Sequence, residues 1–210
     1  MTIHATSPLP LRSAHRGPSP RLGPADLDRA EGAVADLLDA LGLDRTSDGL
    51  ADTPRRVARM YADLLSPEPV AMTTFDNEGD DDQLVVVSDI PVSSLCEHHL
   101  LPFRGVAHVG YLPGQRIVGL SKLARVVQSC ARRPQVQERL TTEVADWIAD
   151  DVAPRGVGVT IEAEHLCMSM RGARADGART TTSTFRGVLR DDLDIRREFF
   201  QTVAGSRSAA

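Results

Sequence analysis

The sequence predicts an α+β chain: an antiparallel four-stranded sheet with two helices on one face, preceded by a helical segment. Three observations predict it. Between residues 26 and 65, apolar residues recur at three- and four-residue steps, the period of a helix. After residue 83 the pattern changes to β-type runs. From there the order is strand, strand, helix, helix, strand, strand, which suits an antiparallel sheet with both helices packed on one side.

The first helix opens at Asp26, with Leu27, Ala30, Val34, Leu37, Leu38 and Leu41 on one stripe and Gly42 as its stop. The second opens at Thr53-Pro54, a capping residue followed by proline at the first helical position. Val57, Met60, Tyr61, Leu64 and Leu65 form its stripe, and Pro67 lies beyond its end. Residues 76–82 (DNEGDDD) read as an acidic loop. Leu84 to Ile90 and Val106 to Leu112 read as strands. Ser121 to Arg132 is helical, with Leu123, Val126, Val127 and Cys130 on one face, so Cys130 reads as packing. Pro134 opens a longer helix with Val136, Leu140, Val144, Trp147 and Ile148 inward. Val157, Val159, Ile161 and Ala163 alternate as in a half-buried strand, Thr180 to Leu189 is the fourth strand, and Arg196 to Val203 is a short last helix. Four strands leave two open edges, which pairing with a neighbouring subunit would cover. The organisation expected is a disordered tail over 1–24, a helical segment over 25–70 and a sheet-bearing domain over 71–205.

The chain has 210 residues, of which 41% are hydrophobic and 25% charged, enough apolar material for a sizeable core. The net charge of −5 argues against nucleic acid or an acidic membrane as the main partner. No apolar run reaches the length of a membrane span, and the start of the chain lacks a signal-peptide pattern, so a cytoplasmic protein is expected. Three cysteines fit poorly with a disulfide framework.

The chemistry concentrates in two clusters, Cys96-Glu97-His98-His99 and His165-Leu166-Cys167. Two residues separate Cys96 from His99, a spacing that lets one tight turn present two ligands to one ion. Residues two apart on a strand share a face, so His165 and Cys167 are expected to face the same space. Thiolate with imidazole suits zinc. Cys96, His99 and Cys167 give three ligands and leave a fourth position for water, the pattern of a catalytic rather than a closed structural site. Spacing alone leaves open which of His98, His99 and His165 binds the metal. Gly119-Leu120-Ser121-Lys122 leads into a helix with Arg125 one turn on, a phosphate-type helix start or a plain Ser cap with two solvated cations. Arg171 follows the second cluster and could anchor an anion. Gln137-Glu138 could grip a guanine-like edge or be an ordinary polar helix face.

Taken together, SLCEHHLLPFRGVAHVGYLPG, GLSKLARVV, ARRPQVQERLT, EHLCMSMRG, TTTSTFRG, TPRRVARMY and RREFF resemble GTP cyclohydrolase I over essentially the whole chain from residue 26. The resemblance implies the tunnelling fold, a ββααββ unit, assembled as a homodecamer of two pentamers. It implies GTP as substrate, one zinc ion per subunit, and 7,8-dihydroneopterin triphosphate as product. Residue by residue, it implies Cys96, His99 and Cys167 as zinc ligands and His98 and His165 as the proton-transfer pair. It implies Glu138 and Gln137 at guanine, Ser121, Lys122, Arg125 and Arg171 at the triphosphate, and Arg56 as a contact from across a subunit boundary. Two rivals are a metal-free relative with a cysteine nucleophile, as in the nitrile reductase of queuosine synthesis, and a zinc-stabilised binding protein. The Cys96-x-x-His99 and His-x-Cys167 pair favours metal over the first. The spare histidines and phosphate-type helix start disfavour the second.

Overall fold

The computed structural model describes residues 25–208, and the expected tail over 1–24 lies outside them. Two helices come first, α1 (Leu27–Ala40) and α2 (Thr53–Leu64), packed on each other. Strands β1 (Thr74–Asp76), β2 (Val85–Cys96), β3 (Pro102–Leu112) and β4 (Arg116–Val118) follow, then α3 (Leu120–Ala131), β5 (Pro134–Gln135) and α4 (Gln137–Val152). The chain ends with β6 (Gly156–His165), α5 (Leu166–Ser169), β7 (Arg179–Gly187), α6 (Val188–Asp191) and α7 (Leu193–Ser208). The main sheet runs β5-β2-β3-β6-β7, antiparallel except for the short β2–β5 contact, and β1 pairs with β4 apart from it. The α+β class and the ββααββ order of the large elements are those the sequence predicts.

Alternation decides the layers. Val109, Val159 and Ile161 point to one face and meet Leu123, Val126, Leu140, Val144 and Ile148 of α3 and α4, all with no exposed surface. The threonines of β7 also face α4: Thr141 and Thr182 hydroxyls lie 2.6 Å apart, and those of Thr142 and Thr184 3.2 Å. The other face carries a second, smaller core of Leu112, Leu189, Phe199 and Val203, which α6 and α7 close. A Cβ on Gly110 would stand 2.7 Å from the Phe199 ring, so glycine there is what lets α7 seat. Phe199→Ala is therefore expected to cost about 3–5 kcal/mol. A clear drop in melting temperature by circular dichroism checks this, and an unchanged midpoint would show that α7 is not fastened there.

The structure differs from the sequence reading at several boundaries. Strand β2 continues past Ile90 to Cys96. Proline is tolerated at position 91 because, among the described residues, β2 pairs on its outer side only through Leu95 and Cys96. Ser94 fastens this extension by donating to the Ala131 carbonyl at 2.6 Å. Pro134 does not open a helix; it pairs with Leu95, and α4 starts at Gln137 after an extended Val136. The cap of α2 is Asp52, not Thr53, with its carboxylate turned to Arg55 and Arg56. Strand β6 is buried on both faces over residues 156–161, since Leu189 covers Gly156 and Gly158 from the second side. The fourth strand stops at Gly187, and the last helix begins earlier, at Leu193. No residue of α1 is buried: Leu37 and Leu41 of its apolar stripe stay exposed. Among the described residues, no helix is long and apolar enough to cross a membrane.

Candidate active site

Cys96 is the last residue of β2, and the chain then folds back on itself. Its amide donates to the Leu101 carbonyl at 2.8 Å, and its carbonyl accepts from His99 at 3.3 Å and Leu100 at 2.8 Å. Leu100 takes a positive φ of 53° to close the turn. This turn brings His99 Nδ1 to 3.7 Å from Cys96 Sγ. Cys167 arrives at the same end of β3, where Phe103 pairs with His165, the last residue of β6. Cys167 lies in the first turn of α5, not on the strand, so the shared-face argument from residue spacing does not hold. The helical turn brings it in instead. Ligand atoms of Cys96, His99 and Cys167 lie within 4.8 Å of one another.

The donor set fits a divalent ion. Two sulfurs and an imidazole match the softness and tetrahedral preference of zinc, and three protein ligands leave a position open. Burial and the adjacent Cys96 thiol push the Cys167 thiol up, while Arg171 acts the other way. A cation between two facing thiols removes that penalty. His98 stands outside this group. Its Nδ1 is 3.8 Å from Cys96 Sγ, but its side chain is 63% exposed. Cys130 is buried in the α3 stripe, and burial pushes its thiol up to about 12. After chelation, an alkylating reagent should modify the partly exposed Cys167 first and spare the buried Cys130 until the protein unfolds. Mass spectrometry reads the order; labelling of Cys130 first would contradict the packing role given to it.

His165 is held from two sides. Its ring stacks on Phe103 with centroids 4.6 Å apart and planes 10° from parallel, and its Nε2 is 2.7 Å from Gln137 Oε1. Burial lowers its pKa, and the Glu138 carboxylate opposes that. Gln137 is 1% exposed, and its amide has other partners than the guanine edge expected of it. Glu138, next to it, is exposed.

The ligand turn is braced by residues the sequence reading missed. Glu97 accepts from Arg139 at 2.5 Å, Arg139 donates to Gln135 at 2.8 Å, and Gln135 donates to Glu143 at 2.9 Å. Arg133 pairs with Glu143, and the Glu97 amide donates to the Gln135 carbonyl at 3.0 Å. Arg139 holds the Glu97 carboxyl below its usual range. Part of the signal was present in the four-residue spacing of Arg139 and Glu143 on one helix. Phe103 had no such signal, because only the β3–β6 register places it against His165.

Ser121, Lys122 and Arg125 stand elsewhere. They occupy the first turns of α3, whose cap is Gly119, not Ser121. The far end of α3 adjoins the ligands, since the carbonyls of Ala131 and Arg133 receive Ser94. A helix of 12 residues separates the two ends by about 18 Å. Arg171 is exposed just after α5, near enough to act on Cys167. Arg56 lies on the exposed face of α2, paired with Asp52 at 3.2 Å.

Comparison with known proteins gives the family. The profile of the GTP cyclohydrolase I family matches residues 30–204. The chain is 56% identical over 178 residues to GTP cyclohydrolase 1 of Streptomyces coelicolor, covering 81% of this chain and 88% of that one. It is 54% identical over 180 residues to GTP cyclohydrolase 1 of Mycobacteroides abscessus, covering 82% and 87%. The corresponding protein of Mycobacterium leprae is 52% identical over 186 residues, covering 85% and 90%. With a family match across most of its length and relatives above half identity, this chain belongs to the GTP cyclohydrolase I family of hydrolases.

Proposed function

We propose that this chain opens the purine ring of GTP at C8, releases C8 as formate and closes the remaining atoms to 7,8-dihydroneopterin triphosphate, the entry to tetrahydrofolate and related pterins. The observation that carries the reading is the convergence of Cys96, His99 and Cys167 within 4.8 Å beside His98 and the fixed ring of His165. Zinc held by those three residues would supply Lewis-acid activation of water at neutral pH.

The chain's own residues supply the rest. C8 is electron-poor but aromatic, so its hydration needs a proton delivered to N7 as water adds. His98 and His165 are the groups for that transfer and for its return when the formamide is hydrolysed. Glu138 accepts N–H groups of the guanine edge. Arg171 offers its guanidinium to the phosphates.

Ser121, Lys122 and Arg125 serve the triphosphate from a second subunit. C8 adjoins the ribose, so phosphate contacts belong within a nucleotide's length of the ligands; in their own chain Ser121 and Lys122 lie at the opposite end of α3, with Arg125 midway along it. Arg56, on an exposed helix face, is likewise given to a neighbour. Exposed Leu37, Leu41, Leu120, Met170 and Phe200 supply apolar surface for such an assembly. A closed homo-oligomer, a decamer of two rings, is the form we assign. The test of the reaction is the fate of C8: from GTP labelled there with carbon-13, the label should appear in formate and be absent from the pterin. Label retained in the product would end the ring-opening reading.

A further inference from the structure

We propose that Gln137 is a positioning residue for His165: its amide fixes which ring nitrogen of His165 exchanges protons with substrate, and it makes no side-chain contact with guanine. The proposal rests on the role given to His165 above.

Four contacts define the amide. Gln137 Nε2 lies 3.0 Å from the Ile161 carbonyl, 2.9 Å from the Thr180 carbonyl and 3.2 Å from Thr182 Oγ1. Its Oε1 lies 2.7 Å from His165 Nε2. The two carbonyls can only accept, so the nitrogen of the amide must face them. Turned over, the amide would aim its oxygen at both carbonyl oxygens, acceptor against acceptor. The oxygen therefore faces His165, and an amide oxygen can only accept. Nε2 of His165 must carry a proton to fill that bond. In the neutral ring Nδ1 is then bare; in the charged ring the proton that leaves is the one on Nδ1.

The setting makes this assignment rigid. Gln137 is 1% exposed and sits in the first turn of α4, while its two carbonyl partners belong to the adjacent strands β6 and β7. Phe103, without exposed surface, stacks on the imidazole and fixes its plane. Ring plane and tautomer are thus set by separate residues, one from β3 and one from α4. With its donors spent on the sheet, its oxygen turned to His165 and the residue itself buried, the amide is closed to a base edge. Glu138, exposed on the same helix turn, remains to meet guanine.

The test compares Gln137→Met and Gln137→Glu with the wild-type holoenzyme. Gln137→Met keeps the length and removes the hydrogen bonds; Gln137→Glu keeps an acceptor toward His165 and, in its protonated form, one donor toward the sheet carbonyls. The expected result for Gln137→Met is a fall in kcat of about 100-fold, the scale of a misplaced catalytic group. GTP affinity, measured with a non-hydrolysable analogue, should stay within about twofold, because the lost bonds touch no substrate. Gln137→Glu should recover part of kcat. Weakened GTP binding with kcat retained would overturn the proposal and return Gln137 to the guanine site. Equal loss in both variants would overturn it too, since it would mean only damaged packing. Nitrogen-15 histidine spectra of sedimented wild-type protein, assigned with His165→Asn, test the geometry without a Gln137 variant. Neutral His165 protonated on Nε2 supports the proposal, and protonation on Nδ1 refutes it. Wild-type turnover of GTP is the control: its absence would remove the function reading itself, whereas normal wild-type turnover with an unaltered kcat in Gln137→Met would remove this inference alone.

Discussion

His98→Ala is expected to keep its metal and lose turnover of GTP by about 100-fold or more, the usual weight of a general acid–base group. The expectation comes from where the ring stands. His98 follows the Cys96 ligand by two residues and is within 3.8 Å of its sulfur, yet it is mostly exposed and outside the three-residue ligand group. Its removal leaves both sulfurs and His99 in place. Cys96→Ser removes a ligand from the end of β2 and should lose metal and activity together. Metal analysis beside steady-state kinetics separates the two outcomes. Loss of the ion from His98→Ala would exchange the roles given to His98 and His99.

The second large effect is complementation between inactive chains. His98→Ala and Lys122→Ala should each be inactive alone, yet oligomers assembled from both should turn over GTP well above either parent. In a mixed assembly some sites receive an intact ligand end from one subunit and an intact α3 start from another. The argument is geometric: Lys122 is in the first turn of α3 and the ligand turn adjoins its last residue, Ala131, about 13–14 Å away along the axis. Co-expression with two different tags, followed by tandem purification and an activity assay, reads the result. Mixed oligomers no more active than the parents would place each site within one chain.

Much of the fold was legible because period and burial agree. The stripes of α3 and α4 and the alternation of β6 mark the main core directly. What was not legible came from partners distant in sequence. Pro91 reads as a strand end, and only the almost unpaired outer edge of β2 explains why the strand runs on to Cys96. The second core was hidden because α7 needs Gly110 to admit Phe199, a contact between residues 89 positions apart. At the site, the Cys and His clusters announce a metal by residue type and spacing. The structure then separates His99 from His98, which spacing could not. Gln137 shows the opposite case: its type suits a base edge, and only the register of β6 with β7 places acceptors around its amide.

The central claim is that this chain converts GTP at a metal centre built from Cys96, His99 and Cys167. Its most direct test is purified protein with GTP, following formate and the fluorescent oxidised pterin together, before and after a strong chelator and after zinc is restored. The account predicts formate and pterin in equal amounts, both lost on chelation and both recovered with zinc. Undiminished turnover in fully metal-free protein, or no formate from folded, zinc-loaded protein, would contradict it.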